Sequence, residues 1–237
     1  MNRKLNRTFR LKSLRQSGQF IILLIAMLGF LLIPPFFIHS ESTGVLASTF
    51  LSVLLLSALY VFPRRRTFVA ACGLAVPALV GRWLLISFPA NTHFLVFVML
   101  CSVAFLVLTD AAILREVLAT NRVTNDTISG AICGYLLMGV VFAFLYGIIA
   151  LLYPGSFIVA GKTIQPELSR FDYHIEIINL IYYRFVTLAT VGYGDITPAS
   201  PPARALAMIE AGAGQFYVAI LIARLVSIRY SRWGGEE

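Results

Sequence analysis

The sequence predicts an all-α membrane protein with six transmembrane helices plus one shorter, re-entrant segment. Three observations carry that expectation. The composition is 59% hydrophobic and only 13% charged; apolar runs of helical length recur along the chain; and basic residues gather on one set of flanks. A soluble domain is about half apolar and about a quarter charged, so the natural solvent for this much apolar surface is lipid. The mean hydropathy of +0.84 agrees.

The first apolar run goes from Phe20 to Ile38, near the ~20 helical residues that cross a hydrocarbon core. A long basic stretch precedes it and no small-x-small cleavage site follows promptly, so it reads as a signal anchor rather than a cleaved signal peptide. Further spanning runs lie at Val45–Phe62, Val69–Phe88, Phe94–Leu114, Ala131–Tyr153 and Ala203–Ser227. Between the last two, Ile177–Thr190 is too short to span and reads as re-entrant. The stretch from Pro154 to Glu176 holds the turn formers Pro154, Gly155 and Pro166 and reads as a long outer loop. No internal repeat is evident, and no soluble regulatory domain is expected after the last run.

The net charge of +8 is placed as membrane topology requires, and not as a nucleic-acid face. Six of the nineteen basic residues (Arg3, Lys4, Arg7, Arg10, Lys12, Arg15) precede the first run, and Arg64, Arg65 and Arg66 lie between two runs. With the amino terminus inside, Arg115, Arg122, Arg224, Arg229 and Arg232 are also cytoplasmic, and the outer loops keep only Lys162 and Arg170. Cytoplasmic flanks collect Lys and Arg, so both termini are expected inside, and the basic amino terminus also suits anionic lipid headgroups. Cys72, Cys101 and Cys133 have no paired spacing and read as small hydrophobes.

One run of residues carries the function: Thr187, Leu188, Ala189, Thr190, Val191, Gly192, Tyr193, Gly194, Asp195, Ile196, Thr197, Pro198. Thr-Val-Gly-Tyr-Gly is the loop by which potassium channels are recognised, its backbone carbonyls replacing the hydration shell of the ion. A dehydrating cation needs rings of oxygens. Ordinary β backbone alternates its carbonyls from side to side, whereas Gly192 and Gly194 take positive φ at little cost and let successive carbonyls face one axis. The carbonyls of Thr190, Val191, Gly192 and Tyr193, with the Thr190 hydroxyl innermost, are the candidate K+ ligands. One chain supplies one loop, so a ring requires a symmetric oligomer. Irregular backbone at this depth is tolerated only where it lines a water-filled path or is packed in protein.

From Ile177 to Arg229 the chain resembles the pore domain of tetrameric potassium channels, chiefly the prokaryotic ones. The resemblance implies a homotetramer whose pore is built from a pore helix at Ile177–Ala189, a selectivity filter and an inner helix. The negative end of the pore-helix dipole would then face a central cavity and favour a cation. It implies that Tyr182 and Tyr183 brace the filter near Tyr193, that Asp195 closes the motif at the outer mouth, and that Gly214, with Gly212, is a candidate gating hinge. Close packing of small residues is the other account of those glycines. Val186 and Ala189 depart from well-studied members, which have glutamate and threonine there; neither position supplies a coordinating oxygen, so selectivity is expected to survive. The resulting division is a basic cytoplasmic segment (1–19), a four-helix transmembrane domain (20–129), a pore domain (130–230) and a short cytoplasmic tail (231–237).

Six segments with a loop before the last is also the layout of voltage-gated channels, but a sensor needs several basic residues on its fourth helix. The fourth run has none, Arg115 lying just past its end, and the third has only Arg82. Steep voltage dependence is therefore not expected. Arg82 is placed to snorkel outward, Asp110 to face the Arg64–Arg66 loop, and Arg184 and Glu210 to form a buried pair behind the filter, with a cavity-facing Glu210 as the rival. A subunit of a potassium uptake transporter, or a weakly selective cation channel, is the alternative function; uptake systems usually carry four degenerate filter repeats in a longer chain. No nucleophile–base arrangement, metal-ligand cluster or phosphate loop supports an enzyme, and His39, His93 and His174 are scattered in or near outer loops. The expected partners are K+ as permeant ion, membrane lipids and further copies of the chain, without a cofactor or nucleic acid, in a plasma membrane of prokaryotic type.

Overall fold

Proline, capping residues and apolar length decide where the helices stop. In the computed structural model, which describes residues 19–37, 43–62, 64–87, 91–120, 124–159, 162–163 and 170–233, helix α1 runs Gln19–Leu32. It gives way to a 3-10 turn at Pro34–Phe37, since two successive prolines supply no N–H to continue the α ladder. Helices α2 (Thr43–Leu59) and α3 (Arg65–Ser87) follow. Helix α4 (Thr92–Ala119) is capped by Asn91, whose side chain accepts from the His93 N–H. Helix α5 (Asn125–Leu152) is capped by Thr124, which accepts from the Thr127 N–H at 3.2 Å. The basic segment through residue 18, His39, Arg122 and the tail after Trp233 lie outside the described residues, as do the side chains of Lys162, Arg170, His174, Arg229 and Arg232.

Among the described residues five helices are long and apolar enough to cross a membrane: Phe20–Phe37, Arg65–Leu85, Thr92–Ala119, Asn125–Leu152 and Pro201–Arg224. The run expected at Val45–Phe62 is the short one. Its helix α2 has 17 residues, about 25 Å at 1.5 Å per residue against a core of about 30 Å. The chain leaves the helix in a turn at Tyr60 and Val61, shortly before Pro63.

The described residues after α5 form strands where the turn formers suggested only loop. Phe157–Val159 (β1), Lys162–Thr163 (β2) and Ile196–Pro198 (β3) form an antiparallel sheet in the order β2-β1-β3, with Phe157 opposite Pro198 and Val159 opposite Ile196. A strictly all-α description therefore needs this small correction. Aromatic and β-branched residues fit a pleated, half-buried surface, and Phe157 anchors the strand by burying its ring completely. Helix α6 (Arg170–Leu188) also begins earlier than Ile177. Helix α7 (Pro201–Trp233) starts on two prolines, residues whose fixed φ suits a first turn.

Helix α5 is the hub. Its buried side chains, among them Leu137, Val140 and Phe144, join the core shared with α1, α2, α3 and α4. Its other flank, Phe142 and Tyr146, joins Phe157, Leu180, Tyr183 and Ile196 in a second cluster under the sheet.

Candidate functional site

The loop after α6 is fixed from both ends. The Ala189 N–H donates to the Phe185 carbonyl at 3.0 Å, Thr190 to Thr187 at 2.9 Å, and Val186 accepts from both Val191 (2.9 Å) and Gly192 (3.3 Å). The last carbonyls of the helix, which have no partner within it, thus hold the first residues of the loop. The remaining end carbonyl, of Leu188, accepts from the Tyr135 hydroxyl of α5 at 3.2 Å.

Within the loop every second residue has positive φ: Thr190 at 55°, Gly192 at 59° and Gly194 at 80°. The two glycines were expected there; the threonine was not. Left-handed backbone costs a residue with a Cβ about 1–2 kcal/mol, and a β-branched residue in it marks a place where surroundings override local preference. Here Gln215 of α7 reaches the same residue, its amide donating to the Thr190 hydroxyl at 3.4 Å. A Cβ built on Gly192 or Gly194 would meet nothing within 4 Å, so within one chain those glycines answer a conformational need and not a steric one. Val191 and Tyr193 are 52% and 70% exposed. Their side chains border a cavity of about 670 Å³ shared with Leu28 and Leu32 of α1 and with Tyr182 of α6.

Beyond the loop, the Asp195 carboxylate accepts from the Ile196 N–H at 3.0 Å. Strand β3 is then tied to β1. The Ala199 N–H donates to the Ser156 carbonyl at 2.8 Å, and the Ser200 hydroxyl to that of Ser156 at 2.9 Å. A left-handed, carbonyl-rich loop is therefore held between a helix C-terminus and an anchored strand, a construction able to present backbone oxygens to a cation.

Comparison with known proteins agrees. Residues 135–229 match the family described as "Ion channel". That stretch is similar to ion-channel domains in sequence. It takes in most of α5, all of α6 and the loop, and α7 through Arg229. The chain is also similar to a protein named two pore potassium channel c, from Oryza sativa subsp. japonica, at 34% identity over 93 residues, which is 39% of this chain and 17% of the rice protein. No solved structure matches.

The remaining expected residues are brought together unevenly. Tyr182 lies beside the loop, but Tyr183 faces the other way, buried against Tyr146 and Phe157 at ring-centroid distances of 5.3 and 5.6 Å. Neighbours on a helix point about 100° apart, so the two tyrosines meet different surroundings: Tyr182 the loop residues Val191 and Tyr193, Tyr183 the packing of α6 on α5 and the sheet. Gly214 sits where α7 crosses the end of α6, and a Cβ there would lie 2.6 Å from the Leu188 carbonyl oxygen, whereas one on Gly212 would meet nothing within 4 Å. Arg184 and Glu210 are both fully buried, yet no direct ion pair joins them. Glu210 accepts instead from the Tyr146 hydroxyl at 2.6 Å, and Arg184 lies 4.1 Å over the Phe185 ring. Asp110 does not turn to the Arg64–Arg66 loop; it packs towards Gly134 and acts on Tyr217. Arg82 donates from Nε to the buried Ser48 hydroxyl at 3.1 Å, a tie to α2.

Tyr135, Tyr146, Ser156 and Gln215 were not singled out from sequence. For Tyr135, Tyr146 and Gln215 a hydroxyl or amide inside an apolar run was the available signal, because such groups rarely lie in lipid without a partner; Ser156, in the loop, offered none.

Proposed function

We propose that this chain is one subunit of a potassium-selective channel that conducts K+ passively through a filter formed by residues 190–194. The observation that carries the reading is the alternation of positive φ at Thr190, Gly192 and Gly194, in a loop of the Thr-Val-Gly-Tyr-Gly sequence. That alternation is what turns successive carbonyls to one side. The ion-channel match over the same residues and the similarity to a protein named for potassium support it.

Four copies are needed to close oxygen rings around an ion, with α7 as the inner helix and α6 as the pore helix. In this reading α2 completes a six-crossing topology, both termini are cytoplasmic, and the plasma membrane is the site of action. Helix α4 carries no Lys or Arg before Arg115, so opening is not steeply voltage dependent. Gly214, with Gly212, remains the candidate point of bending in α7.

The test is flux into liposomes from purified protein. Potassium and rubidium are expected to pass and sodium not, with barium blocking. Gly192→Asp, which places a charged side chain at φ 59° in the loop, is expected to abolish flux while the protein still assembles. Equal passage of sodium would overturn selectivity, and a monomeric protein in lipid would overturn the channel itself.

A further inference from the structure

Behind the loop, α5, α6 and α7 bring three polar side chains into one place from which solvent is excluded. Arg184, Glu210 and Tyr146 have no exposed surface. One oxygen of Glu210, Oε2, accepts from the Tyr146 hydroxyl. Arg184 donates from Nε to the Ile181 carbonyl at 3.3 Å, and its Nη1 occupies the room left by Gly139, where a Cβ would lie 3.1 Å away. What is left over is complementary: Nη1 and Nη2 of Arg184 have no acceptor, and Oε1 of Glu210 has no donor. The two groups act on one another electrostatically.

Breaking up a buried charge pair is far more damaging than replacing both partners together, because a lone buried charge stays uncompensated. Buried polar groups that cannot touch are commonly joined by internal water, each molecule making about three hydrogen bonds. We infer that Arg184 and Glu210 form a water-bridged charge pair, held in register by Tyr146, that positions the pore helix against the inner helix behind the filter. The ligand of this site is water.

The placement gives the pair its consequence. Arg184, on α6, precedes Thr190 of the loop by six residues, and Glu210 precedes Gly214, the point of closest approach to Leu188, by one helical turn. The pair therefore sets how α6 and α7 lie against each other just where Gln215 meets Thr190. Arg184, Glu210 and Tyr146 are positioning residues and touch no ion. They face away from the exposed side of α7, so Glu210 is not a charge lining the conduction path.

The experiment is a double-mutant cycle on the full chain with Arg184→Gln, Glu210→Gln and both together. It is read first as the thermal unfolding midpoint in detergent and then as the K+/Na+ flux ratio in liposomes. Each single change is expected to lower the midpoint by roughly 5–10 °C, and the double change to recover at least half of that loss. The flux ratio, whose interpretation rests on the channel reading, is expected to fall about tenfold in either single variant and to return to within about threefold of the parent in the double. Losses that add, or midpoints that do not move, overturn the pair. A single variant that fails to fold while the double folds supports it, and failure of both overturns it. Radiolytic hydroxyl labelling of Tyr146 and Phe185, which marks side chains next to bound water, is expected in the parent; its absence overturns the bridge. If the parent conducts no potassium, the channel reading fails while the thermal cycle still decides the pair.

Discussion

Two membrane-length helices of the same domain are treated very differently by a single chain. In α5, 61% of the membrane-length stretch is buried; in α7 the figure is 11%. Helix α5 packs against α1, α4, α6 and α7, whereas α7, among the described residues, packs mainly on one flank of α5, the end of α6 and strand β3, with Arg224 reaching the Thr120 carbonyl at the end of α4 at 3.4 Å. Its remaining faces expose Met208, Ile209, Phe216 and Ile220. The difference teaches where one chain ends as a folding unit: α5 is finished by its own chain, and α7 offers an apolar surface that lipid or further copies must cover. In the proposed tetramer that surface lines the pore and the contacts between subunits.

The comparison breaks most sharply with a charge placed on each helix. Phe144→Glu, at a residue of α5 only 6% exposed, is expected to leave no folded protein, since losing the buried ring costs about 3–5 kcal/mol before the buried charge is counted. Phe216→Glu, at a residue of α7 that is 70% exposed, is expected to keep the helical content of the chain and to reduce the oligomer to monomers, as read by light scattering in detergent. An intact oligomer would remove this face of α7 from assembly.

A finer division lies within α7. Gly214→Ala drives a methyl group into the Leu188 carbonyl and is expected to cost about 1–3 kcal/mol, the usual range for overpacking. Gly212→Ala enters open space and is expected to gain up to about 1 kcal/mol from helix propensity. Unfolding midpoints separate the two. If both changes leave stability alone but alter open probability, the glycines act as a bend and the tight approach at Gly214 is incidental.

A smaller effect is expected at the sheet. Ser156→Ala removes two hydroxyl contacts, the one accepted from Ser200 and the one donated to the Tyr153 carbonyl, and is expected to lower stability by about 1–2 kcal/mol, the ordinary net value of two hydrogen bonds. Loss of potassium selectivity in this variant would show that the strand pairing also fixes the loop.

Much of this was legible in sequence, and the failures are informative. The runs that become α1, α3, α4, α5 and α7 announce themselves, because burial in lipid demands apolar length irrespective of partners. Helix α2 was read too long, since hydropathy carries the eye through Tyr60 to Phe62 while the backbone has already turned. The sheet was missed because its strands are two or three residues long and β1 meets β3 across the whole of α6. Tyr183 was assigned to the filter by analogy of position, and only the packing of Tyr146 and Phe157 shows which way it points. Arg184 and Glu210 are both buried, as a pair behind the loop would require, but the Tyr146 hydroxyl, 64 residues away in sequence, had no signal linking it to Glu210.

What the sequence determined by itself is local or solvent-driven: the class of solvent, the helices long enough to cross it, and a loop whose glycines permit the backbone a channel filter needs. Tertiary structure decided the rest: that Thr190 shares the left-handed backbone of Gly192 and Gly194, that Leu188 has room only because Gly214 lacks a side chain, and that Arg184 and Glu210 are both buried, with Glu210 bonded to Tyr146. Hydropathy and backbone permission are properties of each residue with its solvent and can be read in order along a chain. Who meets whom across three helices depends on distances that no single stretch of sequence contains.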